Sequence, residues 1–391
     1  MDTNTKILVI SSSTYNGRSQ VNDGKYEAFS TRYEHYLAAR TNNKKCRKLE
    51  KRGYVILGFY QPIFMTRMPF LSRFVFILSA LMYFGIVKRR SLKLDLIVAR
   101  DPLRSGALGF ILSRMLSIPL LVELNGNFAS SVLWERPNRR IAKIKRYVGT
   151  RLARFVLAKA TAVKQLYPTQ LSQLAGDCKP ALTYSFHEYV SPQGLQKAEA
   201  RKKNYLITMG SPWNIKGFDI TVDAYRKVLG RNANYPFDLF IVGYIRPNEF
   251  AEFTKACDLD HPRIHLLKPV SYEKAQMLLS EAVAMVLASR TEAMGRVLIE
   301  SMRLGTLCVA SRVDGIPFYV EDNKTGLLFD TENTKQLADL LERISLHNFG
   351  EMTDLAQRTA IHRFGTAEFV RQYQEMIDAT IDHQTKLGIP V

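Results

Sequence analysis

Short apolar runs recur along the first half of the chain and alternate with segments of helical periodicity. The runs are KILVIS (6–11), YVILGFY (54–60), DLIVAR (95–100) and PLLVEL (119–124). Continuous apolar runs of this length are typical of parallel strands that are buried on both faces. Segments 70–90 and 105–117 instead repeat apolar residues every three or four positions, which predicts helices. Strands that alternate with helices favour a parallel sheet covered on both faces.

The same alternation begins again after a polar, turn-rich segment at 191–204, which we interpret as a linker. The apolar runs of the second half are YLITMG (205–210), FDLFIVG (237–243), AMVLAS (284–289) and TLCVAS (306–311). The pattern therefore predicts an α/β fold of two doubly wound, Rossmann-like domains, 1–190 and 205–365, facing a cleft. Ligands of such sheets bind at the carboxyl ends of the strands. Residues 366–391 contain a long helical pattern that we expect to pack back toward the N-terminal domain.

Positive charge is concentrated in the first half of the chain. Residues 1–190 contain 31 Lys and Arg against 11 Asp and Glu, whereas residues 191–391 contain 24 against 25. Such an excess predicts a polyanionic neighbour, which is nucleic acid, an acidic lipid surface or a phosphorylated substrate. A solvated surface that only aids solubility is the alternative. The helical pattern at 139–164 has one face dense in Lys and Arg.

Cysteine spacing and the first residues bear on the compartment. The four cysteines, Cys46, Cys178, Cys257 and Cys308, lie far apart without paired spacing. This favours a reducing compartment over a disulfide framework or a zinc site. The opening MDTNTKILVI runs directly into a predicted strand and has no secretory signal pattern. We therefore expect a cytoplasmic protein.

An uncharged stretch at 74–87, FVFILSALMYFGIV, raises the question of membrane contact. Its 14 residues are too few for a spanning helix, which needs about 20 residues. The stretch is either a buried core helix or a helix with one face in a membrane surface. With the basic segment 139–164, it leads us to expect peripheral association with the anionic inner face of a membrane.

Two glutamates frame the segment with the clearest chemistry, TEAMGRVLIESMRLGTLCVASRVDGIPFYVEDNKTGLLFD (291–330). Glu292 follows a predicted strand, and Glu300 lies about one turn into the helix that begins near Gly295. Unpaired amides at that helix N-terminus suit anions and hydroxyl oxygens. Carboxylates accept hydrogen bonds from sugar hydroxyls, so the set predicts a polyhydroxylated ligand that carries phosphate. The spacing alone also fits two solvated helix glutamates.

Around these glutamates the sequence resembles the family 4 retaining glycosyltransferases of the GT-B fold. The first matching block contains Glu292, Gly295 and Glu300, followed by Gly-Thr (305–306), Gly-Ile-Pro (315–317) and Gly-Leu-Leu (326–328). The second block, LITMGSPWNIKGFDITVDAY (206–225), is similar to the family's strand, turn and Lys-Gly-hydrophobic-Asp helix start. The resemblance covers residues 200–380 well and residues 1–190 loosely.

The resemblance implies a role for each matching position of the second domain. Glu300 would hold the ribose hydroxyls of a nucleotide, and Glu292 would contact the hydroxyls of the donor sugar. Lys216 would neutralise the diphosphate leaving group, so we group it with Glu292 as catalytic. The backbone at Val270 would meet the base. The amides that would hold the sugar and the diphosphate are those of Met294, Gly295, Arg296 and Val297.

The chain departs from the family pattern at several positions. Ser211, in the donor site, stands where an arginine usually follows the strand glycine, so one phosphate-binding cation is missing. Arg296 either substitutes for it or points to solvent. In the first domain, Asn125 replaces the family's histidine, and Gly17 stands alone where a glycine pair is usual. We place Gly17, Asn125 and Arg100 on the acceptor or phosphate side.

No metal or cofactor is expected. Asp258 and Asp260 have the two-acid spacing that some transferases use for a cation, but we interpret them as a solvated loop. Transfer requires that the departing diphosphate be stabilised by fixed positive groups and amides. In the family the sugar keeps its anomeric configuration, and the leaving phosphate takes the acceptor's proton on the same face. Glu292 is therefore not assigned as a nucleophile.

Together these features predict a glycosyltransferase that moves a sugar from a nucleotide-diphosphate donor to a glycan or lipid-linked acceptor. A UDP-sugar is favoured over a GDP-sugar, and bacterial surface polysaccharide or glycolipid synthesis is the expected pathway. A nucleic-acid-binding protein would also explain the basic half. However, the basic helices lack interleaved aromatic residues, so no nucleic acid is expected. A non-catalytic sugar-nucleotide-binding protein and an epimerase on the same fold are further alternatives.

Overall fold

The structure, a computed structural model, describes residues 5–15, 23–51, 53–62, 64, 69–87, 92–134, 139–191 and 202–386. The chain divides into two compact units. The first unit comprises Met1–Ala129, Arg136–Ser191 and Phe369–Val391, and the second comprises Ser130–Glu135 and Pro192–Glu368. Most of the segment predicted as a linker, 191–204, lies outside the described residues.

An eight-stranded sheet forms the centre of the first unit. Its strands are β1 (Thr5–Thr14), β2 (Tyr33–Thr41), β3 (Lys48–Lys51), β4 (Tyr54–Tyr60), β5 (Leu96–Ala99), β6 (Leu120–Glu123), β7 (Ala162–Gln165) and β8 (Leu182–Ser185). They lie in the order β3-β4-β2-β1-β5-β6-β7-β8. Only β3 runs antiparallel to its neighbour. The direction of crossover reverses between β1 and β5, as in a doubly wound fold.

In the described part of residues 23–191, five helices accompany this sheet. They are α1 (Asp23–Glu27), α2 (Pro69–Met82), α3 (Arg104–Leu116), α4 (Arg139–Lys159) and α5 (Gln170–Ala175). Helix α2 continues into a π-helical turn at Tyr83–Val87. Short 3-10 turns occur at Lys44–Cys46 and at Ser131–Trp134. The segment 139–164, predicted to be helical for most of its length, is helical from Arg139 to Lys159, and β7 follows.

The second unit is built around six parallel strands. They are β9 (Tyr205–Met209), β10 (Asp238–Val242), β11 (Ile264–Leu267), β12 (Ala284–Leu287), β13 (Leu307–Ser311) and β14 (Leu327–Phe329), in the order β11-β10-β9-β12-β13-β14. The helices are α6 (Trp213–Lys216), α7 (Phe218–Arg231), α8 (Phe250–Ala256), α9 (Tyr272–Glu281), α10 (Arg296–Arg303), α11 (Ile316–Tyr319), α12 (Thr334–Leu346) and α13 (Gly350–Arg363). A 3-10 turn at Pro247–Glu249 precedes α8.

The apolar runs are buried on both faces of the sheets. In β1, Leu8 and Ile10 pack into one core cluster, whereas Ile7 and Val9 pack into a second cluster. Successive side chains of a strand point to opposite faces, so one run supplies both clusters. The predicted pair of doubly wound α/β domains is confirmed by the two sheets.

The last helix, α14 (Thr366–Lys386), contributes to the core of the first unit. Phe369, Tyr373, Met376 and Ile377 are buried in the same cluster as Val9. Their spacing of three and four positions places them on one face of the helix. The helix is therefore held by apolar burial along its length.

The uncharged stretch at 74–87 is divided between core and surface. Phe76 and Ala80 are buried. Phe74, Leu78 and Met82 on the same helix are 63%, 48% and 54% exposed. Among the described residues, no helix has the length and apolar character needed to cross a membrane.

Candidate functional site

Strands β9 and β12 place the predicted donor-site residues at one edge of the second sheet. The chain continues from β9 into the segment with Ser211 and Lys216, and from β12 into the segment with Glu292. These strands are neighbours, and the direction of crossover reverses between them. Open α/β sheets bind ligands at the carboxyl ends of strands at such a reversal.

Lys216 and Glu292 form an ion pair at this edge. The Lys216 ammonium donates a hydrogen bond to Oε2 of Glu292, although the two residues are 76 positions apart in the chain. Their side chains are only 18% and 14% exposed. The structure therefore brings together the two residues that the resemblance implies are catalytic.

The segment after β9 passes so close to the end of β12 that only glycine fits at the contact. Gly217 has a φ of +64°, and a Cβ there would lie 1.9 Å from the carbonyl oxygen of Ala288. Residues with a side chain rarely adopt this backbone conformation. The preceding lysine, Lys216, lies along Gly210, where an added Cβ would lie 3.0–3.2 Å from three of its side-chain carbons. These glycines let Lys216 reach across to Glu292.

Arg290 fixes the segment after β12 to the segment after β9. Its guanidinium donates two hydrogen bonds to Asp219, at 2.9 and 2.7 Å, and one to Glu332 at 2.7 Å. Nη1 also donates to the carbonyl of Asn214 at 2.7 Å, and the backbone amide donates to the carbonyl of Ile215 at 2.9 Å. The hydrogen bonds to Asp219 raise the pKa of Arg290, so the guanidinium stays charged.

Asp314 holds the backbone of Glu292 in place. Its Oδ2 accepts a hydrogen bond from the amide of Glu292 at 2.9 Å and another from the hydroxyl of Thr291. The amide of Gly315 donates to the carbonyl of Glu292 at 3.1 Å. Asp314 lies 22 positions from Glu292. Sequence reasoning missed both Asp314 and Arg290, because no local spacing links them to their partners.

The N-terminus of α10 presents unpaired amides beside Glu292. Gly295 precedes the helix with a φ of +71°. Among the described residues, no acceptor is found for the backbone amides of Gly295, Arg296 and Val297. Unpaired amides and the positive end of the helix dipole favour anions at such a position. Met294, the fourth residue of the predicted set, is buried in the same turn.

Glu300 lies on the same helix and is 8% exposed. The hydroxyl of Tyr272 donates a hydrogen bond to its Oε1 at 3.4 Å. Burial raises the pKa of Glu300, and the positive charges of Arg296 and Arg303 oppose part of that rise. A largely buried carboxylate is suited to accept hydrogen bonds from ligand hydroxyls, because each of its oxygens can accept more than one. Tyr272 was not predicted, and its place at the start of α9 gave no signal.

The remaining predicted residues of this unit lie nearby in the chain. The hydroxyl of Ser211 donates to the carbonyl of Tyr244 at 3.1 Å. Val270 lies between β11 and α9, two positions before Tyr272. Asp258, considered as a cation ligand, instead forms an ion pair with Arg226 at 2.8 Å. Within the described ranges, no group of three or more His, Cys, Asp or Glu side chains is placed to hold a metal ion.

In the first unit, Arg100 and Asn125 lie together at the carboxyl ends of β5 and β6. The side-chain amide of Asn125 donates to the carbonyl of Arg100 at 3.4 Å and to Glu123 at 2.9 Å. Gly17, the third residue predicted for this side, lies outside the described residues.

Comparisons with known proteins show which family and which relatives the chain resembles. Residues 203–346 match the family described as glycosyl transferases group 1. Alpha-D-kanosaminyltransferase of Streptomyces kanamyceticus is 25% identical over 257 residues, which cover 61% of this chain and 65% of the relative. D-inositol 3-phosphate glycosyltransferase of Corynebacterium diphtheriae is 27% identical over 35% of this chain and 33% of the relative. The matched segments thus span less than two thirds of either relative.

Solved structures resemble the chain over nearly its full length. Anabaena HepE, in complex with UDP and glucose, aligns with a TM-score of 0.71 and 18% identity over 96% of this chain and 100% of its own. The Escherichia coli protein described as trehalose-6-phosphate, bound with UDP-2-fluoro glucose, aligns with a TM-score of 0.73 and 10% identity over 96% and 99%. At these identities the similarity establishes the fold. The chain therefore has the GT-B fold, and the greater part of its second unit matches the family described as glycosyl transferases group 1.

Proposed function

We propose that this protein is a glycosyltransferase that moves a sugar from a nucleoside-diphosphate donor to a glycan or lipid-linked acceptor with retention of configuration. The observation that supports it most directly is the Lys216–Glu292 ion pair beside the unpaired amides of α10. A fixed cation and aligned amides suit a diphosphate, and carboxylates suit sugar hydroxyls. We further propose a role in bacterial surface polysaccharide or glycolipid synthesis.

In this proposal, Lys216 and the first amides of α10 bind the diphosphate and stabilise the charge that develops as it leaves. Such preorganised groups act strongly in a water-excluded site, because they need no rearrangement during the reaction. Glu292 holds the sugar hydroxyls, and its pairing with Lys216 keeps both side chains positioned before the donor binds. The departing phosphate takes the acceptor's proton, so no protein carboxylate acts as nucleophile and no metal is needed.

Arg296 supplies the positive charge that is missing at Ser211. The Ser211 hydroxyl is engaged with the carbonyl of Tyr244 and carries no charge. Burial raises the pKa of Glu300 and of Tyr272, and the positive charge of Arg296, the first residue of α10, opposes part of that rise in each. It therefore lies on the nucleotide side of the site. A guanidinium there can form paired hydrogen bonds to phosphate oxygens.

We favour a UDP-sugar over a GDP-sugar as the donor. Structural neighbours with the same fold were solved with UDP and glucose and with UDP-2-fluoro glucose. Incubation with a panel of UDP- and GDP-sugars should release UDP from at least one UDP-sugar, faster when an acceptor is added. Binding without release would instead support a non-catalytic sugar-nucleotide-binding protein. Release that no acceptor accelerates would support an epimerase.

We also propose that the first unit docks on an anionic membrane at the cytoplasmic face. Helix α4 contains eight Lys and Arg residues and no Asp or Glu. Ala153, Val156 and Leu157 bury one face of the helix in the core. The opposite side exposes large apolar residues, namely Ile141, Ile144, Tyr147, Val148 and Phe155, each 45–63% exposed. Apolar side chains interleaved with basic ones are typical of helices that lie in a lipid interface.

The neighbouring helices extend the apolar part of this surface. Phe110 of α3 and Phe155 of α4 pack edge to face, with ring centroids 5.1 Å apart. Helix α3 exposes Ile111 and Met115, and α2, which packs against α3, exposes Phe74. This arrangement suits a broad, shallow contact with lipid better than the narrow groove of a duplex. It supports a membrane partner over nucleic acid.

The membrane proposal predicts sedimentation with vesicles rich in phosphatidylglycerol, reversed by high salt. Replacing both Lys145 and Arg146 with serine should weaken partitioning about 30-fold, since each cation near such a surface contributes roughly 1 kcal/mol. The matched control replaces two exposed lysines of the second unit, Lys274 and Lys335, and should leave sedimentation unchanged. Equal binding to neutral phosphatidylcholine vesicles would contradict the proposal. Tighter binding to an oligonucleotide than to vesicles would favour the nucleic-acid alternative.

A further inference from the structure

A network of buried charges lies in the first unit. The Lys25 ammonium is 3.3 Å from Glu123 and 2.8 Å from Glu188, and the Lys164 ammonium is 3.4 Å from Glu188. Three of these side chains are no more than 2% exposed, and Glu188 is 13% exposed. Charges this deep require partners, because desolvation of an unpaired ion is costly. The hydroxyl of Tyr373 also donates to Glu123, at 2.8 Å.

Arg100 is the third cation of this network, in addition to Lys25 and Lys164. Its Nε lies 3.7 Å from Oε2 of Glu123, and its side chain is 22% exposed, more than any other member. Among the described residues, no acceptor is found for a hydrogen bond from its guanidinium. Within the described part of the chain, the network thus joins three cations to two carboxylates, and Arg100 is its most exposed member.

Burial and these ion pairs shift the pKa values of the network in opposite directions. Burial alone would raise the pKa of Glu123, but the charges of Lys25, Lys164 and Arg100 hold it below its usual value, and the same cations lower the pKa of Glu188. Burial opposes the charge on Lys25, yet the two carboxylates raise its pKa. Burial lowers the pKa of Lys164. The carboxylates are therefore ionised and bound to internal cations.

Asn125 places an unused acceptor beside Arg100. Its Nδ2 donates to Glu123 and to the carbonyl of Arg100, whereas its Oδ1 is buried without a hydrogen-bond partner among the described residues. A buried carbonyl oxygen without a donor is costly, so a ligand hydroxyl would stabilise it. Both residues lie at the carboxyl ends of β5 and β6, next to the crossover reversal between β1 and β5. Ligands of doubly wound sheets bind at this location.

We infer that this corner binds an anionic, hydroxylated group of the acceptor, with phosphate or carboxylate oxygens on Arg100 and a hydroxyl donating to Asn125. The identification of this ligand as the acceptor rests on the proposed transferase function. The binding of an anionic, hydroxylated group at this corner does not. Glu123 orients Arg100 and Asn125 without contacting the ligand. The acceptor class is therefore a phosphorylated or acidic polyol rather than a neutral sugar.

Calorimetric titration with glycerol 3-phosphate and with inorganic phosphate tests the site. Glycerol 3-phosphate should bind the wild type. Arg100→Gln should lower the affinity for glycerol 3-phosphate at least 10-fold, because it removes charge-assisted hydrogen bonds. Asn125→Ala should lower the affinity for glycerol 3-phosphate and leave the affinity for inorganic phosphate unchanged. Dihexanoyl phosphatidic acid, which has the phosphate without a free hydroxyl, should bind like inorganic phosphate. If it binds more tightly than glycerol 3-phosphate, a lipid headgroup rather than a polyol is the ligand and the polyol assignment is overturned.

Two control variants distinguish a change at this site from a change at the donor site and from loss of the fold. Lys216→Met removes the donor-site cation and should leave glycerol 3-phosphate binding unchanged. If the Arg100→Gln protein does not fold, Arg100→Lys replaces it in the test, because lysine retains the positive charge. Binding of glycerol 3-phosphate to Arg100→Lys should be weaker than to the wild type but measurable. Unchanged binding in a folded Arg100→Gln, or loss of binding in Lys216→Met, would overturn the inference. UDP titration of the same variants reports separately on the proposed function.

Discussion

Replacing Lys216 with methionine should lower kcat for sugar transfer about 100- to 1,000-fold, the cost of removing one preorganised group that stabilises developing charge. Methionine keeps the apolar stem that lies along Gly210 and removes the ammonium that pairs with Glu292. The diphosphate then departs without its fixed cation. The transition state therefore loses more electrostatic stabilisation than the bound donor does. KM for the donor should therefore change less than kcat. The measurement is UDP release under saturating donor and acceptor.

Lys335→Met is the matched control for this prediction. Lys335 is an exposed lysine of α12 in the same unit, and its substitution should leave kcat unchanged. Thermal unfolding of both variants shows whether the fold is intact. A folded Lys216→Met protein with wild-type kcat would show that Lys216 does not contribute to catalysis.

The fold was predictable where apolar runs mark strands that are buried on both faces. KILVIS and DLIVAR correspond to β1 and β5, and their residues fill the core as expected. Strand β2 was missed because His35 and Arg40 interrupt its apolar pattern. Strand β7 was missed because it ends in Lys164 and Gln165, which are fully buried through long-range partners.

The sequence identified residues of the candidate site only where a family pattern links distant positions. Glu292 and Glu300 lie in one continuous block, and Lys216 lies in a second. Arg290 and Asp314 were not found, because each stabilises the site through partners 22 to 76 positions away. Sequence spacing carries no information about such contacts. The buried network of the first unit has the same character, since Lys25 and Glu188 are 163 positions apart.

The uncharged stretch at 74–87 shows why the sequence left two interpretations of one segment open. Phe76 and Ala80 lie in the core, as a buried helix requires. Phe74 and Leu78 remain exposed on the other side of the same helix. A run that is apolar all around has no periodicity, so the sequence cannot reveal which face is covered.

Replacing Glu300 with alanine should reduce the affinity for UDP about 100-fold or more, since each lost hydrogen bond to a charged group costs about 1.5–3 kcal/mol and the ribose offers two hydroxyls. The side chain is 8% exposed, so its oxygens are held beside Tyr272 before a nucleotide arrives. Truncation removes both acceptors and leaves the amides of α10 in place. Diphosphate contacts alone should then give only weak binding.

Calorimetric titration of UDP into the wild type and into Glu300→Ala tests whether the second unit holds a nucleoside diphosphate between Lys216, the N-terminus of α10 and Glu300. Glu351→Ala, an exposed glutamate of α13, is the control and should titrate like the wild type. We expect one UDP site per chain in the wild type and loss of that site in a folded Glu300→Ala protein. Wild-type affinity in that variant, or no UDP binding by the wild type, would contradict it.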